Sequence, residues 1–338
     1  MLTHPADFLS KPALLTVRPG FHVLRFESMK VASAVTTVRT LLDEGRIDRG
    51  SILVDSSSGI YAVALAMAAH KFGLRCKIFA STTVDAVTQA QLKSLGAEVE
   101  SVPPSASLKL DQGERVRRVQ AYIEATPDAY WMRQYHDPLH YDGYAEIASE
   151  LTFPERPEIV HLVGSVGSGA STKGISNGLK SNHDVVVHGI QPFGSVTFSS
   201  EHVEDPDMII AGIGSAIHFD NVERDLYRSI DWLSFGVAAT ATARMYQEIG
   251  LFAGLSSGCA YLVADKMIHR NLAEGESVVM IAPDTGHRYA QALLPYISQP
   301  VMHYDELAPI FVRSRDDLAL PWSRLDRAEL PLKDWNEF

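Results

Sequence analysis

The chain has 338 residues but only two cysteines, Cys76 and Cys259, too few for a disulfide framework. Thiols this sparse behave as small apolar groups, and a reducing cytoplasm is the compartment that suits them. Long apolar runs are missing as well. No stretch approaches the roughly 18 consecutive apolar residues of a membrane span. Met1–Leu14 lacks a basic start followed by an apolar run, so no signal peptide and no membrane partner are expected. Basic charge is the scarcer sign: 30 Lys and Arg stand against 41 Asp and Glu, a formal net charge of -11. Nucleic acids and anionic membranes need a basic field, so no nucleic-acid partner is expected either. There is no Cys-x-x-Cys or haem-ligand pattern, no fixed-period repeat and no low-complexity tract, and no metal is expected.

What is present is an ordinary globular composition, 46% hydrophobic and 21% charged, in a chain long enough for two lobes. Short β-rich runs alternate with helical stretches. Ser51–Asp55 reads as a buried strand and Cys76–Ala80 and Glu98–Val102 as a second and a third strand, with helices over Tyr61–Phe72 and Ala86–Leu95 between them. The alternation resumes later, with strands at Glu158–Val163, Val185–Ile190 and Ser277–Ala282. Helices are predicted near Thr172–Leu179, Phe235–Ile249 and Ala260–Asn271. This is βαβ logic: parallel strands need crossover helices, which cover the sheet on its faces. Asp111–Asp128 reads as a charged amphipathic helix with a solvated face. Leu318–Phe338, rich in Pro, Trp and charge, reads as a surface arm.

The segment with the most chemistry is Leu162–Ile175, LVGSVGSGASTKGI, which follows a strand and leads into a helix. Small residues let the backbone approach a ligand closely, and unpaired N–H groups at a helix start favour an anion. Gly167, Ser168, Gly169, Ala170 and Ser171 would form a phosphate cup, with the serine hydroxyls as extra donors. A dinucleotide fingerprint would need an acidic residue ending a strand about 20 residues further on. Val187, inside VVVHG, stands there instead.

Several segments, in order, resemble the cysteine synthase and cystathionine β-synthase family of fold-type II pyridoxal-phosphate (PLP) enzymes. The resemblance covers roughly residues 20 to 292. FESMKVASAV (Phe26–Val35) resembles the family's strand, acidic residue and Ser-x-Lys segment, which puts Lys30 on the lysine that carries the cofactor. Glu27 and Ser28 are adjacent here, where the family usually has intervening residues. DSSSGIYAVALA (Asp55–Ala66) is similar to the Thr-Ser-Gly-Asn-Thr-Gly loop that grips a substrate carboxylate. Ser57, Ser58, Gly59 and Tyr61 match by position, and Ile60 replaces the asparagine that donates to the cofactor's 3′-oxygen. YWMRQYHDP (Tyr130–Pro138) resembles a segment whose glutamine, here Gln134, reaches the substrate carboxylate. The glycine-rich loop matches Gly-Thr-Gly-Gly-Thr-x-x-Gly at Gly167–Ser171 and Gly174. GIGSA, starting at Gly212, resembles a loop facing the active site. In GLFAGLSSGCA (Gly250–Ala260), Ser256 falls on the serine that bonds the pyridine nitrogen. The local alternative for Ser256 is a helix N-cap.

The resemblance implies an α/β fold of two lobes with open parallel-type sheets flanked by helices and PLP in the cleft between the lobes. The smaller lobe would run over 24–145. The larger, with the C-terminal arm, would take 1–23 and 146–338. It implies a homodimer acting on a small amino acid and a small nucleophile. The reaction implied is β-replacement on an activated serine, O-acetylserine or O-phosphoserine, through an aminoacrylate intermediate. Its product would be cysteine or another β-substituted alanine, such as a diaminopropionate-type compound. The alternatives are a serine/threonine dehydratase and a non-catalytic PLP-binding paralogue, the latter favoured by Ile60.

Overall fold

The computed structural model describes residues 2–57, 59–82, 84–103, 108–207, 213–270, 272–299 and 302–328, with side chains omitted at 108–111. The chain divides into two compact units. One comprises Met1–Lys11 and Ser28–Tyr144, the other Pro12–Glu27 and Ala145–Phe338.

The second unit holds the first two strands, β1 (Ala13–Arg18) and β2 (Phe21–Arg25). The first unit begins with α1 (Pro5–Leu9) and, after β2, takes α2 (Lys30–Asp43), β3 (Ile52–Ser56), α3 (Ile60–Phe72) and β4 (Arg75–Ser81). Then come α4 (Ala86–Ser94), β5 (Glu98–Val102), α5 (Leu108–Ala125) and β6 (Ala129–Trp131). Its sheet has the order β5-β4-β3-β6, and every pairing is parallel. β3 is buried at all five positions, as a central parallel strand covered on both faces must be. The alanine-rich α3 packs into the same core through Tyr61, Ala62, Leu65 and Ala69, and stops at Gly73, whose φ of 70° is a left-handed cap.

α6 (Asp142–Ser149) carries the chain back to the second unit. There follow β7 (Ile159–Ser165), α7 (Ala170–Leu179), β8 (Asp184–Pro192), β9 (Tyr227–Leu233), α8 (Phe235–Ile249) and α9 (Leu255–His269). β10 (Glu276–Ala282), α10 (Ala290–Ser298), β11 (Ile310–Phe311) and β12 (Trp322–Asp326) complete it. The eight-stranded sheet has the order β1-β2-β10-β7-β8-β9-β12-β11. Its centre is parallel, whereas β1 with β2 and β12 with β9 pair antiparallel. The α/β class is as expected, and this sheet is mixed rather than parallel throughout.

Two expectations need correction. Leu318–Phe338 is not simply a surface arm: Trp322–Asp326 is a strand of the large sheet, with Trp322 and Leu325 fully buried. Its polar groups have buried partners in place of solvent. The Trp322 indole N–H donates to Asp231 at 2.7 Å, and Arg324 donates to the Ser229 hydroxyl at 3.2 Å. Residues 329–338 lie outside the described residues. The helix expected from Ala260 begins five residues earlier, at Leu255. Its small residues are a packing surface rather than a loop: a Cβ on Gly258 would stand 2.0 Å from the Thr242 hydroxyl oxygen of α8.

Trp322→Ala should therefore be severe. It empties a large buried volume and removes a donor from the buried Asp231 carboxylate. Deleting a buried aromatic costs about 3–5 kcal/mol, and stranding a charged acceptor adds to that. Urea unfolding followed by circular dichroism should show the large unit melting at clearly lower denaturant, with the far-ultraviolet spectrum of the native state retained.

Candidate active site

Lys30 is the first residue of α2, directly after Met29 at the N-cap. Its side chain is partly buried, and burial lowers the amine pKa to about 8. An ordinary lysine near 10.4 is almost wholly protonated at neutral pH, whereas an amine near 8 is neutral in roughly one molecule in ten. Lys30 is thus prepared as a nucleophile and proton carrier. The helix behind it is tied down. His140 is fully buried, and desolvation lowers its pKa to about 4, which keeps the ring neutral. With Nε2–H donating to the Met132 carbonyl at 2.9 Å, Nδ1 is left to accept from Ser33 at 3.0 Å or Thr37 at 3.3 Å. Gly143 lies so close to α2 that a Cβ there would be 2.4 Å from the Ala32 carbonyl oxygen.

The Ser57–Tyr61 segment joins β3 to α3. Ser57 is buried, and its hydroxyl accepts weakly from Gly59 N–H at 3.5 Å. Gly59 is the N-cap and supplies no side-chain acceptor, so the first N–H groups of α3 have none there. Ile60 opens the helix, half-buried. The Tyr61 ring belongs to the hydrophobic core, edge-on to His140 at 5.6 Å, which leaves its backbone N–H at the helix head. Ser58 lies outside the described residues.

Gln134 stands beside this turn. Its backbone N–H donates to Asp55 at 3.1 Å and its side-chain amide to the Ser56 carbonyl at 3.1 Å. Two further residues share the neighbourhood without having been picked out in the sequence. Asp55, next to last in β3, is buried, with its pKa raised to about 7 by desolvation against three hydrogen bonds that lower it. Arg115 of α5 is buried, and its Nε donates to the Ser56 hydroxyl at 3.3 Å. The helix expected to present a solvated face therefore turns one arginine inward. The legible signal is spacing: Arg115 shares an i, i+4, i+7 stripe with the core residue Val119 and with Tyr122.

In the second unit, Gly167–Ser171 connect β7 to the ten-residue α7. Gly169 is the N-cap, with φ 79° and no side-chain cap. A Cβ on it would meet the Asn221 carbonyl oxygen at 2.4 Å. The Ser168 hydroxyl accepts from Ala170 N–H at 3.4 Å, while Gly167 and Ser171 are partly exposed. Ser168 offers Ala170 only a long contact, and the backbone N–H groups at the head of α7, tightly backed and not capped by the Gly169 position, suit a phosphate. Ser256 is the second residue of α9 rather than its N-cap, which is Gly254. Its carbonyl accepts from Ser165, at the end of β7, at 3.3 Å. Asp284 is buried near Gly254, with its pKa raised to about 6 by desolvation. Gly212 lies outside the described residues. Among the described residues no group of His, Cys, Asp or Glu could hold a metal ion, and no helix is long and apolar enough to cross a membrane.

Comparison with known proteins matches residues 22–284 to a family described as pyridoxal-phosphate dependent enzyme. N-(2-amino-2-carboxyethyl)-L-glutamate synthase of Cupriavidus metallidurans is 30% identical over 269 residues, covering 78% of this chain and 77% of that protein. Among solved structures, the O-acetylserine dependent cystathionine beta-synthase from Helicobacter pylori gives a TM-score of 0.71 at 22% identity, covering 86% of this chain and 98% of that one. O-ureido-L-serine synthase gives 0.74 at 19% identity, covering 90% and 98%. At these identities the structural likeness is one of fold.

Proposed function

This chain belongs to the family of pyridoxal-phosphate dependent enzymes, and from that premise we propose that it catalyses β-replacement on an activated serine, with O-acetylserine or O-phosphoserine as donor. The observation that carries the reading is Lys30, a partly buried amine of lowered pKa at the head of a pinned helix. The cofactor, when bound, supplies the electron sink that makes an amino acid's α-proton removable.

The residues present fit that group. Lys30 holds it and afterwards moves the α-proton. Gly167, Ser168, Gly169, Ala170 and Ser171 receive the phosphate through backbone N–H groups and two hydroxyls. Ser256 offers a hydroxyl, rather than a carboxylate, to the pyridine nitrogen. Ile60 leaves the 3′-oxygen without the amide donor that the family pattern has there. Ser57, Ser58, Gly59, the N–H of Tyr61, Gln134 and Gly212 receive the substrate. The same reading has the enzyme acting as a homodimer in a reducing cytoplasm, where the buried, unpaired Cys76 and Cys259 are at home.

Arg115 narrows the substrate class. A guanidinium buried beside Ser56 suits an acidic group, either the phosphate of O-phosphoserine or the carboxylates of an acidic nucleophile. The Cupriavidus relative is named for a glutamate product. Arg115→Ala should raise KM for O-phosphoserine about 10- to 100-fold, the equivalent of one charged hydrogen bond of about 1.5–3 kcal/mol. KM for O-acetylserine should change little. Steady-state kinetics with both donors checks this.

The reaction itself is tested by adding O-acetylserine, O-phosphoserine and serine in turn, following cofactor absorbance, then supplying sulfide or glutamate and identifying the product by mass spectrometry. A spectral change with a nucleophile-dependent product supports replacement. Pyruvate formed at a rate indifferent to the nucleophile would establish the dehydratase reading instead, and no response to any amino acid would favour the non-catalytic one.

A further inference from the structure

We propose that Asp55 is the positioning residue of the substrate-carboxylate site, holding Gln134 and the exit of β3 at Ser56 in the arrangement that receives an amino acid. The inference rests on the function proposed above.

The argument starts from the shortness of β6. Its three residues pair Ala129 with Ile52, Tyr130 with Leu53 and Trp131 with Val54. One further ladder bond follows, from Met132 N–H to the Val54 carbonyl at 2.9 Å. The Asp55 carboxylate takes over where that ladder ends. One oxygen accepts from Ser56 N–H at 2.7 Å and from the Trp131 indole N–H at 3.2 Å. The other accepts from Gln134 N–H at 3.1 Å. Gln134 answers with its side-chain amide on the Ser56 carbonyl at 3.1 Å. A single buried carboxylate thus joins the exit of β3, which leads to Ser57, to the exit of β6, which leads to Gln134.

Only a group with two accepting oxygens satisfies these donors. An amide in the same place presents one oxygen and one NH2, and whichever way it turns, an N–H faces an N–H. Such a change leaves a buried donor unpaired and releases one of the two loops. It leaves Lys30 and the Gly167–Ser171 cradle untouched, so cofactor binding should survive while substrate binding suffers.

The test uses the full-length enzyme loaded with PLP. Asp55→Asn should keep its cofactor content, raise the dissociation constant for O-phospho-L-serine (read from cofactor absorbance) at least 10-fold, and change kcat less than about threefold. Trp131→Phe deletes one donor and leaves the carboxylate in place. It should raise the same constant severalfold, and it decides the matter if Asp55→Asn does not fold. Wild-type enzyme that responds to O-phospho-L-serine while the folded variants bind it as tightly overturns this inference alone. A fall in kcat equal to the loss of affinity overturns it too, because Asp55 would then act on the chemistry. Wild-type enzyme that responds to no amino acid overturns the proposed function, and this inference with it.

Discussion

Replacing Lys30 with alanine is expected to abolish turnover while leaving the fold intact. The side chain is only partly buried, and alanine is compatible with helical backbone at the start of α2. The sign of the electrostatic change points the same way. Burial lowers the amine pKa to about 8, so at neutral pH the folded protein carries a charge that its surroundings disfavour. A folded-state pKa below the unfolded one means that unfolding takes up protons between about 8 and 10.4, and the resulting penalty on the native state is fully present below 8. Alanine removes that penalty, so with both proteins free of cofactor the melting temperature at pH 7 should hold or rise. Turnover should fall by more than about 1,000-fold, since both the attachment point and the proton carrier are lost. Thermal melting, absorbance after dialysis and product formation measure the three quantities. Borohydride reduction of the wild type, followed by peptide mapping, should label Lys30. Label on another lysine would show that the assignment is misplaced.

How much of this was legible in sequence follows from where each signal lives. The run from β3 to β5 was readable within a residue or two, because β3 and β4 are buried along nearly their whole length and Gly73 and Gly96 punctuate the helices that follow them, which also places the largely unburied edge strand β5. β1 escaped notice because its exposure is irregular, with neither a continuous nor an alternating apolar pattern. β12 escaped because its Trp, Ser, Arg and Asp look like surface residues until β9 supplies Asp231 and Ser229 as partners. The phosphate cradle could be read from composition, since close backbone approach demands small residues. Lys30 could be read only through resemblance: nothing local distinguishes it from a surface lysine. Asp55 and Arg115 were missed because an acid ending a strand and an arginine in a charged helix are ordinary in sequence. Their meaning comes from burial beside Ser56 and Gln134, residues separated from one or the other by some sixty to eighty positions.

Gly169→Ala should cost the enzyme its cofactor. Two independent strains meet at this residue. Its φ of 79° lies in the left-handed region, where a side chain costs about 1–2 kcal/mol. The new Cβ would also sit 2.4 Å from the Asn221 carbonyl oxygen and 3.0 Å from the Val222 Cα. Both neighbours are backbone, so no side-chain rotation relieves the overlap, and either the 221–222 segment or the head of α7 must shift. A shift of that head misaligns the N–H groups proposed to hold the phosphate, and a lost hydrogen bond to a charged group is worth about 1.5–3 kcal/mol. Stability should fall by about 2 kcal/mol, and PLP affinity should fall at least tenfold on top of that. Gly45→Ala separates the two effects. Gly45 has φ 67° but nothing within 4 Å of an added Cβ, so it suffers the left-handed strain without a clash. That variant should lose stability and keep wild-type affinity for PLP in an absorbance titration of the apoenzyme. If Gly169→Ala, still folded, binds PLP as tightly as Gly45→Ala does, the head of α7 does not hold the phosphate.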